Sequence, residues 1–196
     1  MEINSSQNPV GLFQEWLKNA ARTELNDPDA AALATVGRDG QPSVRMVLLR
    51  GADQKGFYFY TNMESRKSRE LAENPKAALC VHWKSQQRQV RVEGIAETIP
   101  APVVDAYFKT RHYLSRLSAW ASRQSQPLES RRALEERVKD YERKFAGQEI
   151  PRPPHWSGFR LVADRIEFWT NQEFRLHDRI VYHRGRDGWR TERLYP

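Results

Sequence analysis

Short β-prone runs separated by turn chemistry recur at both ends of this chain, and they constrain its fold more than any other feature. Residues 31–36 and 44–49 read as two strands joined by the hairpin turn Gly37-Arg38-Asp39-Gly40-Gln41-Pro42. Residues 56–61, with alternating aromatics, read as a third strand, followed by strands at 77–83 and 89–98. Strands resume at 158–163, 165–169, 175–183 and 189–194, with Asp187-Gly188 turning the last hairpin. Many short antiparallel strands linked by turns predict a barrel, which alone removes the exposed edges of such a sheet.

Helical periodicity fills the gaps. Leu12, Phe13, Trp16, Leu17 and Ala20 share a face over 10–25, and Asn26-Asp27-Pro28-Asp29 ends that run. Ser65 can cap a short helix that stops before Pro75. Residues 102–123 read as one or two helices, and 127–145 as a charged helix with Leu134, Val138, Tyr141 and Phe145 as its apolar stripe. Three prolines make 147–154 a rigid connector. The expectation is an α+β fold in a single domain, 1–196, with a helical insert at about 102–146.

Composition excludes several classes. Hydrophobic residues at 39% and charged residues at 29% fit a globular chain rather than a disordered one. No apolar run approaches the length of a bilayer span, and Met1-Glu2-Ile3-Asn4-Ser5-Ser6 lacks the basic and apolar parts of a signal peptide. The lone Cys80, in the apolar run Ala77-Ala78-Leu79-Cys80-Val81, forms no intrachain disulfide and reads as a small core residue of a cytoplasmic protein. There is no zinc-type cluster, no G-x-G-x-x-G after a strand and no Walker sequence. The formal charge of +7 is spread along the chain rather than massed in a tract, which suits small phosphorylated ligands better than nucleic acid.

Three groups of residues carry the chemistry. If 175–183 is a strand, Arg175, His177 and Arg179 share one face and form an anion-binding wall with an imidazole at its centre. In Ser65-Arg66-Lys67, two cations in a first helical turn oppose the macrodipole unless an anion sits there. Tyr107, Arg111 and Ser115, spaced by four, would stack on one face of a continuous helix and suit a phosphate monoester. Taken by spacing alone, a solvated surface explains the first group as well as an anion site does, and is the commoner explanation for the other two.

Several ordered motifs resemble the pyridoxamine 5′-phosphate oxidase family. They are Arg45-Met46-Val47-Leu48-Leu49, Phe59-Tyr60-Thr61-Asn62, Ser65-Arg66-Lys67, Arg88-Gln89-Val90 and Ala119-Trp120-Ala121-Ser122-Arg123-Gln124-Ser125. Trp169, Arg175-Leu176-His177-Asp178-Arg179 and the closing Trp189-Arg190-Thr191-Glu192-Arg193-Leu194 complete the set, so the resemblance runs from about Leu12 to Pro196. It implies a Greek-key split β-barrel that binds FMN at a homodimer interface. The implied activity is oxidation of pyridoxamine 5′-phosphate and pyridoxine 5′-phosphate by O₂ to pyridoxal 5′-phosphate, releasing H₂O₂ and, from the amine, ammonia.

The resemblance also implies residue roles. Arg45, Met46, Val47, Leu48, Leu49, Arg50, Tyr60, Thr61, Arg66, Lys67, Gln89, Gln124, Ser125, Trp169 and Arg179 would contact FMN. Arg50, Tyr107, Arg111 and Ser115 would hold the substrate phosphate, and Arg175 and His177 would flank its ring and stabilise developing charge. Three departures stand out. Arg50 replaces the family's usual lysine, His112-Tyr113-Leu114-Ser115-Arg116-Leu117-Ser118 replaces a Pro-Arg-x-Ser-x-x-Gly pattern, and the chain before Leu12 lacks a basic, Tyr-containing segment. A phenazine-biosynthesis type oxidase of the same fold, or a non-catalytic carrier of FMN or pyridoxal phosphate, are the alternatives.

Overall fold

The computed structural model describes residue 3 and residues 7–196; most of the Met1–Ser6 stretch read above against a signal peptide lies outside the described residues. The chain opens with helix α1 (Pro9–Thr23). Asn8 caps it by accepting from Val10 N at 3.0 Å, and Pro9 occupies the first turn, where a missing N–H costs nothing. Its apolar face buries Leu12, Phe13, Trp16 and Ala20. Phe13 meets Phe57 edge-on at 4.9 Å, and Trp16 meets Phe168 at 5.1 Å. Each fully buried aromatic of this kind stabilises the fold by roughly 1.5–3 kcal/mol, so α1 acts as a plug for the curled sheet.

Among the described residues nine strands form that sheet: β1 (Ala30–Val36), β2 (Pro42–Leu48), β3 (Gly51–Asp53), β4 (Gly56–Asn62), β5 (Lys76–Trp83), β6 (Arg88–Thr98), β7 (Trp156–Thr170), β8 (Asp178–Gly185) and β9 (Gly188–Arg193). The main path runs β2-β1-β5-β6-β7-β4-β3, with β8 also on β7 and β9 on β8; every pairing is antiparallel. β7 is the spine. One edge pairs with β6 throughout, while the other takes β4 along its first half and β8 along its second. The two strands expected at 158–163 and 165–169 are this single element. The register shifts at Glu93/Gly94, so that Asp164 is the extra residue of a bulge. A Cβ on Gly94 would lie 2.0 Å from the Val162 carbonyl oxygen, which is why a glycine stands there.

Among the described residues five helices decorate the sheet: α1, α2 (Arg66–Glu73), α3 (Ala101–Thr110), α4 (Tyr113–Ala121) and α5 (Arg131–Lys144). A second apolar cluster, centred on Val104, Phe108, Leu117, Phe145 and Trp156, fastens the helical insert to β7. The last hairpin turns on Arg186 and Asp187, one position earlier than expected, with Gly185 and Gly188 paired at its mouth. Cys80 is half-buried rather than central, and burial pushes its thiol up.

Two expected residue faces are not formed. Residues 175–177 are not strand. Glu173–Arg175 is a single 3₁₀ turn in which Phe174 (φ 53°) and Arg175 (φ 61°) are both left-handed, and β8 begins only at Asp178. The shared strand face of Arg175, His177 and Arg179 therefore does not exist. Of the one or two helices expected over 102–123 there are two, α3 and α4, so Tyr107, Arg111 and Ser115 do not stack along a continuous face. Thr110 turns its hydroxyl back to the Tyr107 carbonyl at 2.8 Å and Arg111 is extended (ψ 147°). His112 then caps α4, its Nδ1 accepting from Leu114 N at 3.3 Å.

Candidate active site

Three segments distant in sequence converge at the start of α2. Ser65 occupies the N-cap position but makes no capping bond; its Oγ lies 3.1 Å from Ser68 Oγ and accepts from Lys67 Nζ at 3.1 Å. Lys67 Nζ also donates to Thr61 Oγ1 (3.0 Å) and to Gln124 Oε1 (3.1 Å). The loop after α4 is pinned here as well, since Asn62 Nδ2 donates to the Ser122 carbonyl (3.3 Å) and Arg66 N to Ser125 Oγ (3.2 Å). Ser125 adopts φ 69°, which turns the chain sharply at that contact.

Arg45 enters from β2. Its Nη1 donates to the Leu33 carbonyl and to Thr35 Oγ1, and its Nη2 to Ser43 Oγ and to Glu70 at 3.2 Å. Glu70 Oε1 accepts from Arg66 Nε at 2.7 Å. Burial alone would raise the Glu70 carboxyl, but bonds from Ser43, Thr35 and Arg66 and the charge of Arg45 outweigh it and hold it at about 2. Lys67 is pulled down to about 8, first by burial and then by Arg45, with Glu70 opposing. Three cations and one acid thus share a partly dry cradle, whose charge balance favours an anion.

A second pocket, about 190 Å³, is lined by Leu48, Arg50, Tyr60, Tyr107, Arg111 and Trp156. Its wall is an aromatic stack: Tyr60 lies on Tyr107 at 4.0 Å and on Trp156 at 5.4 Å, the rings nearly parallel. Gly158, the cross-strand partner of Tyr60, leaves space for that ring, because a Cβ there would come within 2.8 Å of Tyr60 Cδ1. The Arg111 guanidinium lies 4.7 Å over Trp156, and its buried Nη1 has no hydrogen-bond partner. Burial pushes the Arg111 guanidinium below its usual range; Tyr107 counters this, and the nearby charge of Arg50 adds to it. Arg50 itself donates to Asp29 at 2.8 Å. Two guanidinium groups and no lining acid make this an anion pocket.

The third group spans β6, β7 and β8. Gln89, Trp169 and Arg179 are successive cross-strand partners and so share a face. His177 packs on Trp169 (ring centroids 4.7 Å), its Nδ1 accepting from Gln172 N at 3.3 Å. Arg179 pairs with the buried Glu167, its Nε and Nη2 both meeting Oε1, at 2.9 Å and 2.8 Å. Arg175 is exposed on the left-handed turn.

Some expected residues fall elsewhere. Met46 and Leu48 lie on the exposed face of β2, opposite Arg45 and Val47, while Leu49 is buried in the core. Ser115 is half-buried on α4 and does not line the Arg111 pocket. Glu70, Thr35, Ser43, Trp156 and Glu167 were not anticipated. Only the Arg66–Glu70 pair, at i,i+4 on one helix, had a signal in the sequence.

A curled antiparallel half-barrel built on a long central strand defines the class of split-barrel proteins. The family described as pyridoxamine 5′-phosphate oxidase matches residues 17–145, and the pyridoxine 5′-phosphate oxidase C-terminal dimerisation region matches 156–196. A pyridoxine/pyridoxamine 5′-phosphate oxidase of Rhizobium etli is 55% identical over 100% of this chain and 96% of its own length. One from Rhodospirillum rubrum is 55% identical over 100% of both. Among solved structures, PhzG from Burkholderia lata 383, in complex with tetrahydrophenazine-1-carboxylic acid, superposes with TM-score 0.90 at 34% identity, covering 96% of this chain and 93% of that one. A pyridoxamine 5′-phosphate oxidase-related, FMN binding protein from Nostoc punctiforme reaches TM-score 0.77 at 21% identity over 98% and 100%, which supports the fold alone. The chain belongs to the pyridoxamine 5′-phosphate oxidase family. Among the described residues no helix is long and apolar enough to cross a membrane, and no cluster of three His, Cys, Asp or Glu could hold a metal ion.

Proposed function

We propose that this chain is a single-domain, homodimeric FMN-dependent oxidase. It converts pyridoxamine 5′-phosphate and pyridoxine 5′-phosphate to pyridoxal 5′-phosphate with O₂, releasing H₂O₂ and, from the amine, ammonia. The observation that carries the substrate assignment is the buried, partnerless Nη1 of Arg111 beside Arg50, because a guanidinium in that state calls for a phosphate.

The donor set of the α2 cradle fits the FMN phosphate. Arg66 would meet it directly, Ser125 and Gln124 would fix the loop, and two further cations would contribute charge from beneath: Lys67, whose three donors go to Thr61, Ser65 and Gln124, and Arg45, whose terminal nitrogens are taken by Leu33, Thr35, Ser43 and Glu70. Gln89, Trp169 and Arg179 border the flavin ring. A bound flavin would supply two-electron redox chemistry between the substrate and O₂. The protein binds and orients: Arg111, Arg50 and Tyr107 hold the substrate phosphate, Tyr60 and Trp156 wall it from water, and His177 and Arg175 meet the substrate ring. The likeness to PhzG supports a second reading, an oxidase of another ring system.

The test is a substrate panel on the FMN-loaded protein. H₂O₂ release with pyridoxine 5′-phosphate but not with unphosphorylated pyridoxine is the expected result. Turnover only of non-phosphorylated ring substrates would favour the second reading.

A further inference from the structure

Glu70 stands at the centre of the α2 cradle, yet neither binding nor catalysis as described above employs it. Its residue is 8% exposed, and the carboxylate takes four donors. Oε2 accepts from the Thr35 hydroxyl at 2.5 Å, the Ser43 hydroxyl at 2.6 Å and Arg45 Nη2 at 3.2 Å; Oε1 accepts from Arg66 Nε at 2.7 Å. One acid therefore holds two arginines that come from different elements, β2 and α2. Using Nε of Arg66 leaves both terminal nitrogens of that side chain without a protein partner among the described residues. A planar guanidinium gripped at Nε presents its opposite edge in a fixed direction.

We propose that Glu70 is the positioning residue of the anion cradle, setting Arg45 and Arg66 in one arrangement and thereby giving the site its preference for a phosphorylated over an unphosphorylated flavin. The proposal rests on the FMN reading above. Its sign separates it from the plain electrostatic role. A carboxylate near a phosphate repels it, so if Glu70 were only a counter-charge, removing its charge would tighten anion binding. If it orients the arginines, removing it frees Arg66 and loosens Arg45, which keeps Leu33, Thr35 and Ser43, and so weakens binding despite the lost repulsion.

The experiment measures FMN and riboflavin dissociation constants by flavin fluorescence on the full-length, flavin-stripped protein. In Glu70→Gln we expect FMN to bind about tenfold more weakly, with riboflavin unchanged. FMN binding that is unchanged or tighter overturns the proposal, as does equal weakening of both flavins, which would mark a role in the fold alone. A parent protein that binds both flavins alike removes the phosphate reading and the proposal with it. A parent that prefers FMN, with a Gln variant that keeps the preference, removes only the proposal. The double variant Thr35→Val/Ser43→Ala keeps every charge and removes the hydroxyls that hold both the carboxylate and Arg45, so it tests the Glu70–Arg45 arrangement as a unit if Glu70→Gln does not fold. A loss of about threefold for FMN alone is expected there, and an unchanged preference overturns the proposal.

Discussion

Lys67 carries the clearest pH signature in the molecule. Its folded value of about 8 lies below the ordinary 10.5, so between these limits the unfolded chain binds more protons than the folded one. Stability of the flavin-free protein should therefore rise as pH climbs through that window, the cost of the buried charge being fully present below it. FMN binding needs the ammonium form and should weaken above pH 8, by up to about tenfold per unit. Dissociation constants at pH 7 and pH 9.5 check this, and a flat profile would show that the Lys67 charge does not act on the phosphate. Glu70 moves stability in the same direction over a lower window: its folded value is also lowered, so its stabilising contribution is present above the ordinary 4.5 and is lost as pH falls toward about 2. Arg50→Ala should raise KM for phosphorylated substrate far more than it lowers kcat, while Arg50→Lys should stay within about tenfold of the parent. Steady-state kinetics decide, and an alanine variant with unchanged KM would place Arg50 outside the substrate site. The cations of both pockets were legible as residues because motif and charge mark them. Glu70 was not, because its role depends on Thr35, Ser43 and Arg45 meeting α2 across the folded sheet.

Among the elements, the strands were readable from alternation, and the failures have local causes. Asp164 shifts the alternation by one residue, so the long β7 looked like two strands. The left-handed pair Phe174-Arg175 was invisible because neither residue is the glycine or asparagine that normally marks such a backbone, and consecutive residues of this kind cost on the order of 1–3 kcal/mol each. The break at Arg111 was hidden by good helix formers on both sides, with Thr110 and His112 carrying the signal as side-chain bonds to backbone. Gly94→Ala should destabilise the protein by at least about 2 kcal/mol, since the bulge leaves the new methyl group against a carbonyl on the central strand. Denaturant unfolding measures this, and an unchanged midpoint would contradict the packing described. Arg175→Ala and His177→Ala should lower kcat as well as kcat/KM with flavin retained, whereas Arg111→Ala should act mainly through KM. Equal KM effects from all three variants would erase that division.

The whole molecule leaves an apolar face uncovered. Val44, Met46 and Leu48, at 70%, 63% and 36% exposure, line the outer side of the edge strand β2, and Phe174, Leu176 and Tyr195 add to the exposed apolar surface near the chain end. A second copy is the expected cover, consistent with the dimerisation region matched by 156–196. Met46→Asp should yield a monomer by sedimentation that retains FMN poorly; a dimer that stays yellow would move the interface elsewhere. The barrel class was legible because alternation and turn residues repeat along the chain. The exposed face was not, because buried and interface strands share one apolar pattern. The most direct test of the whole account is anaerobic mixing of the FMN-loaded protein with excess pyridoxamine 5′-phosphate. The account predicts that the flavin absorbance bleaches in a single turnover, that pyridoxal 5′-phosphate forms one-to-one with flavin, and that colour returns when O₂ is admitted. Flavin that stays yellow at saturating substrate would contradict it.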